Sequence, residues 1–281
     1  MAFRSCRNIT LITGALYLII GVSTASAQSV DISLPGKPIY VESSEIESER
    51  KRDNWSGTLG LGLSLAPDFL GADSHSLTSA LQVRVNYRDK IFLENNRLGA
   101  VLYTSRFLKG GVIGRWNLGR EDDVPLRFAT GAEPVDDTFE LGMFAATSLY
   151  KLFLAGEVYV GLEDAHRGIN VELEGGYTFE LNSKLKLSPI LGAKWGSQKF
   201  NQAFFGIEDG NDVFPAYRAS SGIYEVYGEV SLEQRLGKNW LLKGSMRLAE
   251  LTNSAARSPI IASDIGNRYQ LSSYVGVVWL F

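Results

Sequence analysis

Apolar and polar residues alternate with a period of two along most of the chain, most clearly in the segment Asn267 to Phe281. One alternate set there is largely apolar, with an aromatic residue at each end: Tyr269, Leu271, Ser273, Val275, Val277, Trp279 and Phe281. The interleaved residues are largely polar or small. Successive side chains of a β-strand point to opposite faces, so the pattern predicts a strand whose two faces meet different environments.

The same alternation recurs upstream. The alternating segments are Leu59–Leu65, Leu81–Arg88, Ile169–Glu180, Leu185–Trp195, Tyr224–Glu233 and Trp240–Leu248. Repeated alternating segments of about ten residues are the sequence signature of a transmembrane β-barrel. A soluble β-sandwich alternates as well, but the strand lengths, the aromatic Phe281 at the end of the last strand and a secretory leader favour the membrane barrel.

The number of strands tests this topology. Candidate strands occupy residues 55–66, 76–88, 90–96, 98–106, 110–120, 138–149, 151–162, 167–181, 184–197, 222–236, 238–252 and 267–281. Both termini of a bacterial barrel lie in the periplasm, which requires an even number of strands. Residues 90–106 form either one strand, giving eleven, or a hairpin that turns at 95–97, giving twelve.

Only the twelve-strand arrangement is self-consistent. It places the short turns at the periplasmic end, namely 88–90, 107–109, the turn near Tyr150, 182–183 and 236–239. It places the long connections 67–75, 121–137, 198–221 and 253–266 at the external end. Tryptophans then fall near both ends of the strands, as the aromatic girdles of a membrane barrel require. The sequence therefore predicts an all-β fold over residues 54–281: a transmembrane antiparallel up-and-down β-barrel of about twelve strands.

The N-terminal residues have the composition of a secretory signal peptide. Arg4 and Arg7 precede the apolar run Ile9–Val22, and Ala25–Ala27 matches a cleavage site. Residues 1–27 are therefore predicted to be removed. The alternative, a membrane anchor helix, is disfavoured because the apolar run is short. The single cysteine, Cys6, lies in this leader, so the mature chain is predicted to contain no disulfide.

Residues 28–53 differ from the rest of the chain. They contain four glutamates, Glu42, Glu45, Glu47 and Glu49, and no alternation. This composition predicts a periplasmic, mostly disordered N-terminal arm. The functional alternative is a docking segment for a periplasmic partner.

Composition excludes some classes of function. The chain has 28 Lys and Arg against 31 Asp and Glu, and without Arg4 and Arg7 the net charge is −5. A nucleic-acid-binding protein would be basic, so no nucleic-acid partner is expected. After residue 27 no apolar run approaches the roughly 20 residues of a membrane helix.

The face of the strands opposite the apolar one carries charges of both signs. Its predicted cations are Arg84, Arg88, Arg115, Lys151, Lys186, Lys194, Lys243 and Arg247. Its predicted anions are Glu140, Glu157, Glu172, Glu174, Glu225, Glu229 and Glu233. This interior predicts either a small-solute channel with a mixed-charge lumen or a closed core of paired charges.

Two histidines bear on whether the protein is an enzyme. His75 and His166 fall in predicted external loops, beside serine and aspartate residues. A rim histidine with a serine or a metal could hydrolyse outer-leaflet lipid, but neighbours in sequence need not meet in space. Loop histidines are usually solvated, so the sequence predicts no catalytic, cofactor-binding or metal-binding residue and no cofactor.

Several motifs, taken in order and spacing, point to a family. They are a glycine-rich first strand followed by Pro67–Asp73, then Gly119-Arg120, Pro215–Tyr217, Ser221-Gly222 and the final aromatic strand. With these motifs, residues 55–281 resemble the MltA-interacting protein family, also called MipA/OmpV, of Gram-negative outer membranes.

The resemblance implies a barrel in the outer membrane, in contact with outer-membrane lipid and lipopolysaccharide. It also implies a scaffolding role, in which the barrel docks a periplasmic murein hydrolase or synthase. The matching motifs lie in loops and turns, so no catalytic residue is implied.

Overall fold

The computed structural model describes residues 37–41, 54–120, 134–162 and 166–281. The predicted signal peptide, most of the predicted arm and residues 121–133 of the long connection 121–137 lie outside these ranges. None of the helices in the described ranges is long and apolar enough to cross a membrane.

The chain folds as a closed antiparallel barrel. Its strands are β1 (Trp55–Pro67), β2 (His75–Tyr87), β3 (Ile91–Glu94), β4 (Arg97–Thr104), β5 (Lys109–Asn117), β6 (Thr138–Leu149), β7 (Leu152–Gly161), β8 (Ile169–Tyr177), β9 (Phe179–Glu180), β10 (Leu185–Gly196), β11 (Gly222–Arg235), β12 (Trp240–Leu251) and β13 (Tyr269–Leu280). Only Thr178 separates β8 from β9, and both pair with β10, so they form one barrel strand. Neighbouring strands pair in sequence order, and β13 closes the ring on β1. The predicted barrel of about twelve strands is confirmed.

The short hairpin that decides the strand number turns at Asn95 and Asn96. Asn95 has a positive φ of 48°, a conformation that asparagine adopts more readily than most residues. Its backbone N–H donates to the carbonyl of Val83 at 2.9 Å, and its side-chain oxygen accepts from the N–H of Val83 at 2.9 Å. These bonds fix the tip of β3 and β4 against β2.

The alternation of the sequence divides the two faces of the barrel as predicted. On β13, Val275 is 52% exposed, whereas Val278 is 0% exposed. On β1, the outward Leu61 is 65% exposed. The outward face of the wall is thus apolar, and the alternate residues fill the lumen.

The two ends of the barrel differ in their connections. Five short turns lie at the end called here the short-turn end, and the long connections lie at the long-loop end. In their described residues the long connections carry three short helices, α1 (Gln198–Phe205), α2 (Asn253–Ala256) and α3 (Pro259–Ala262). The hydroxyl of Ser197 caps α1 by accepting from the N–H of Phe200.

Candidate functional site

A belt of opposite charges crosses the lumen and joins eight strands. This charged belt consists of Arg97, Arg115, Glu140, Glu157, Glu172, Lys194, Glu225 and Arg247. Arginine can bind two carboxylates at once because its guanidinium presents several donors. Two buried arginines of the belt, Arg97 on β4 and Arg115 on β5, each contact two carboxylates in this way.

Arg115 lies at the centre of the belt. Its guanidinium contacts Glu140 at 2.6 Å and Glu172 at 2.5 Å. Its Cζ also stands 4.0 Å from the centroid of the Tyr159 ring, in cation–π geometry. The side chains of Arg115 and Glu140 are 6% and 0% exposed, so this pair is removed from water.

The neighbouring cations extend the belt in both directions. Arg97 lies 3.2 Å from Glu157 and 3.9 Å from Glu172. On the other side, Lys194 stands between Glu172 at 3.9 Å and Glu225 at 4.0 Å. Each of these cations therefore balances two carboxylates.

The strand register places two pairs of like charges directly across from each other, and the belt compensates their repulsion. Arg97 lies directly across from Arg115 on the next strand, and Glu157 lies directly across from Glu172. Like charges at such positions repel. The bridges from Arg97 to both glutamates, and from Arg115 to Glu172, balance this repulsion by reaching beyond the adjacent strand.

Two further ion pairs lie outside the belt. Lys243 contacts Glu233 at 2.6 Å, and Arg84 contacts Glu94 at 2.7 Å. Within the belt, Arg247 binds Glu225 and stacks on the ring of Tyr227, with its Cζ 3.6 Å from the ring centroid. Glu225 and Glu233 of β11 thus pair with cations of the adjacent strands, as a closed core of paired charges requires.

For two of the predicted lumen cations, Arg88 and Lys151, the predicted position in the lumen is wrong. Arg88 lies in the turn after β2 with a φ of 53°, and its side chain donates to Asn54 outside the lumen. Lys151 lies in the turn before β7 and pairs with Glu180 at the surface, where the side chains are 39% and 45% exposed. Both residues fall one position beyond the end of a strand, where the alternation no longer sets the direction of the side chain.

Two further charges are buried in the lumen. Arg97 falls in the predicted turn 95–97, although it is the first residue of β4. Glu94 shares the inward parity of Phe92 on β3, and this alternation could have identified it.

The described parts of the long connections pack together over the long-loop end. Their buried core, called here the cap, contains Phe69, Ala72, Val135, Phe200, Phe204, Phe205, Ile207, Ala219, Tyr224, Leu251, Ala255, Ile260 and Ile261. Hydrogen bonds tie separate connections to one another across the mouth. Arg120 donates to the carbonyl of Phe204 at 3.0 Å, and the hydroxyl of Ser258 donates to the carbonyl of Phe205 at 2.8 Å.

The motifs that carry the family resemblance build this cap. Asp68 accepts from the hydroxyls of Ser74 and Ser76 at 2.5 and 2.6 Å, which closes the first long connection. Gly71 has a φ of 98°, and a Cβ there would stand 1.9 Å from a side-chain carbon of Ile261. These motif residues are therefore structural, as their position in loops predicts.

His166 lies beneath the cap rather than in a solvated loop. It is 3% exposed, its Nε2 lies 3.0 Å from an oxygen of Glu140, and its ring packs against Phe200 at 5.1 Å. The expectation of a solvated His166 is wrong because His166 and Gly168 pack against Phe200 of α1. His75 is exposed, with its Nδ1 3.0 Å from the carbonyl oxygen of Asp73. Within the described ranges, neither ring is hydrogen-bonded to a serine hydroxyl.

Residues Lys37 to Val41, called here the plug segment, lie inside the lumen toward the short-turn end. Ile39, Tyr40 and Val41 are buried among lumen-facing apolar side chains of the barrel wall. The hydroxyl of Tyr40 donates to Glu157 at 2.6 Å. For these residues the expectation of a periplasmic arm is wrong, because the lumen offers apolar and hydrogen-bonding partners that a period-two pattern does not reveal.

A closed antiparallel barrel with an apolar outer face and a polar interior is the architecture of a transmembrane β-barrel. The profile of the family described as MltA-interacting protein MipA matches residues 59–281, and the chain belongs to this family. It is a protein of the Gram-negative outer membrane. By the rule for such barrels, the short-turn end is periplasmic and the long-loop end is external.

Solved structures with a similar fold include other outer-membrane proteins. The NanC porin is 8% identical over 80% of this chain and 98% of that chain, with a TM-score of 0.41. An outer-membrane channel from Pseudomonas putida F1 is 11% identical over 81% of this chain and 95% of that chain, with a TM-score of 0.42. Vibrio cholerae OmpT is 8% identical over 81% of this chain and 97% of that chain, with a TM-score of 0.38. No curated protein matches the sequence.

Cysteine labelling tests the orientation of the barrel. We expect Asp212→Cys, in the exposed part of a long connection, to react with an impermeant thiol reagent on intact cells. We expect Lys238→Cys, in a short turn, to react only after the outer membrane is permeabilised. The unmodified protein is the control, because Cys6 is predicted to leave with the leader. Labelling of Lys238→Cys on intact cells would invert the assignment.

Proposed function

We propose that this barrel is a closed structural scaffold that docks a murein-remodelling enzyme at its periplasmic end. The observation that carries the proposal is the filled lumen. The cap covers the external mouth, the charged belt crosses below it, and the plug segment fills the region toward the periplasm. A pore of selective charge rings needs a water-filled path between its mouths, and the described side chains of the cap, the charged belt and the plug segment stand across that path.

The family description supports the choice of partner. It names interaction with MltA as the property of the family. A periplasmic enzyme can reach the short-turn end of the barrel, and we assign the docking surface to that end.

The periplasmic end has the chemistry of a docking surface. Its described cations, at or beside the short turns, are Arg88, Lys90, Arg106, Lys109, Lys151, Lys184, Arg235 and Lys238, whereas its described anions are Asp89 and Glu180. Exposed apolar side chains stand among them, including Phe107, Leu236 and Tyr150, which is 96% exposed. Aromatic residues with surrounding cations suit an acidic protein surface.

Binding measurements test the docking surface. We expect the triple variant Lys90→Glu, Lys151→Glu and Lys238→Glu to bind purified MltA about tenfold more weakly, because each rim charge contributes up to about 1 kcal/mol. The matched control reverses three exposed cations at the external end: Lys199→Glu, Arg218→Glu and Arg257→Glu. Equal losses of affinity in both variants would rule out the periplasmic end as the docking surface.

Planar-bilayer recording tests the closed lumen directly. We expect the full-length barrel to show no steady conductance above the lipid background. Stable, ion-selective steps would instead support the small-solute channel. No enzymatic role is proposed, because the two histidine rings of the described chain contact Glu140 and a backbone carbonyl rather than a nucleophile.

A further inference from the structure

The barrel wall forms an aromatic cradle around Tyr40. The ring of Tyr40 stacks on Phe144 with the centroids 4.3 Å apart and the planes at 25°. It also lies 5.7 Å from the ring of Phe92, and Phe92 meets Phe144 edge to face at 5.6 Å. Offset stacked and edge-to-face arrangements are the favourable geometries for aromatic rings. Three rings from three separate parts of the chain thus pack as one unit.

The polar end of Tyr40 meets an acceptor that the wall itself holds in place. Its hydroxyl donates to one oxygen of Glu157 at 2.6 Å. The other oxygen of Glu157 accepts from the hydroxyl of Tyr159 at 2.7 Å and from Arg97 at 3.2 Å. The carboxylate is therefore oriented by residues of β4 and β7, which leaves an acceptor site aimed at a phenol.

Side chains of the barrel wall also contact Lys37 of the plug segment. Arg84 donates to the backbone carbonyl of Lys37 at 3.1 Å. The ammonium of Lys37 stands 5.9 Å from the ring centroid of Phe153. A turn from Pro38 to Val41, closed by a 2.9 Å backbone hydrogen bond, presents Tyr40 to the cradle. The contacts thus include a backbone carbonyl, a cation and a phenol, and all of them are groups of a short peptide.

Glycines on the neighbouring strands make room for the cradle. A Cβ at Gly99 would stand 2.2 Å from the ring of Phe92, and one at Gly111 would stand 2.9 Å from the ring of Phe144. The absence of a side chain at Gly99 and Gly111 therefore leaves space for the rings of Phe92 and Phe144. Phe92, Phe144 and the two glycines all lie on strands of the barrel wall.

We propose that this part of the lumen is a binding site for a short tyrosine-containing peptide, filled in this chain by its own residues 37–41. The bound segment is exchangeable, so a peptide of the same chemistry can replace it from the periplasm. The proposal is independent of the docking of an enzyme on the periplasmic rim, and the two are tested separately.

Peptide binding to the full-length protein tests the site. The probe is a fluorescent synthetic peptide with the sequence of residues 33–44. We expect the full-length Tyr40→Ala variant to bind it at least about tenfold more tightly than the unmodified protein, whose own tyrosine occupies the cradle. A probe with phenylalanine in place of its tyrosine should bind that variant about 10- to 100-fold more weakly, because a hydrogen bond to a charged group is lost.

The acceptor is tested in the same assay. In the Tyr40→Ala background, Glu157→Gln should weaken the binding of the probe that contains tyrosine. It should leave the affinity for the probe that contains phenylalanine nearly unchanged. Glu233→Gln is the matched control, because Glu233 pairs with Lys243 and not with the plug segment. Equal affinity for the two probes, or no gain in binding on Tyr40→Ala, would overturn the proposal.

Thiol protection supplies a second test that needs no added peptide. In the full-length protein, Ile39→Cys should react with a periplasmic thiol reagent at least about tenfold more slowly than Ser183→Cys, which lies in an exposed short turn. Adding Tyr40→Ala to Ile39→Cys should restore fast reaction. If Ile39→Cys reacts as fast as Ser183→Cys, the segment does not occupy the lumen and the proposal is wrong.

Discussion

Replacing Arg115 with methionine is expected to lower the free energy of unfolding by about 3–5 kcal/mol. Arg115 is the cation shared by Glu140 and Glu172, and the side chain of Glu140 is 0% exposed. Methionine fills much of the same volume but leaves the buried carboxylate of Glu140 and the partly buried carboxylate of Glu172 without their nearest positive charge. Reversible unfolding in denaturant, from lipid vesicles, measures the loss.

A double-mutant cycle identifies the origin of this loss. Adding Glu140→Gln to Arg115→Met should recover part of the stability, because one orphaned charge is removed. Lys151→Met is the control, since Lys151 pairs with Glu180 at the exposed periplasmic surface and should cost no more than about 1 kcal/mol. If Arg115→Met costs no more than Lys151→Met, water screens the lumen and the channel becomes the better function.

The wall of the barrel could be predicted from the sequence because a strand between lipid and lumen has two contrasting faces. The predicted bounds of β6, 138–149, coincide with the observed strand. The turn at Asn95 could be inferred because an even number of strands requires it. Where a strand ends the two-sided environment ends with it, and the directions of Arg88 and Lys151 were therefore wrong.

The arrangement inside the lumen could be predicted only in part. Pairs of charges on adjacent strands follow from the strand order, as Glu233 and Lys243 show. The contact between Arg97 and Glu157 joins strands that are not adjacent in the sheet and residues 60 positions apart. Such a contact depends on the curvature of the closed barrel, which no local pattern encodes.

The burial of the plug segment and of His166 could not be predicted for a related reason: each depends on residues that are distant in the sequence. Lys37–Val41 has no period and is too short to fold alone, so its burial depends on a cradle made elsewhere in the chain. His166 likewise has no sequence feature that separates it from a solvated loop residue. Its burial follows from the packing of α1, which brings Phe200 against its ring.

The outer face leads to the second large expected effect. Val275→Arg should destabilise the barrel by about 2–4 kcal/mol, because lipid near the bilayer midplane cannot solvate the charge. Val275 lies midway along β13, is 52% exposed, and stands directly across from the outward-facing Leu63 on β1. The free energy of unfolding from lipid vesicles is the appropriate measurement, because detergent would let water reach the site.

Tyr269→Arg on the same strand is the matched control. Tyr269 lies on the same outward face, 61% exposed, but at the external end of β13 and directly across from Glu250. An arginine there can reach the headgroups and a carboxylate, so the expected cost is only about 0–1 kcal/mol. The difference between the two variants reports the depth of each residue in the membrane rather than the loss of either side chain. Equal costs would mean that the outward face of β13 is not embedded as its alternation predicts.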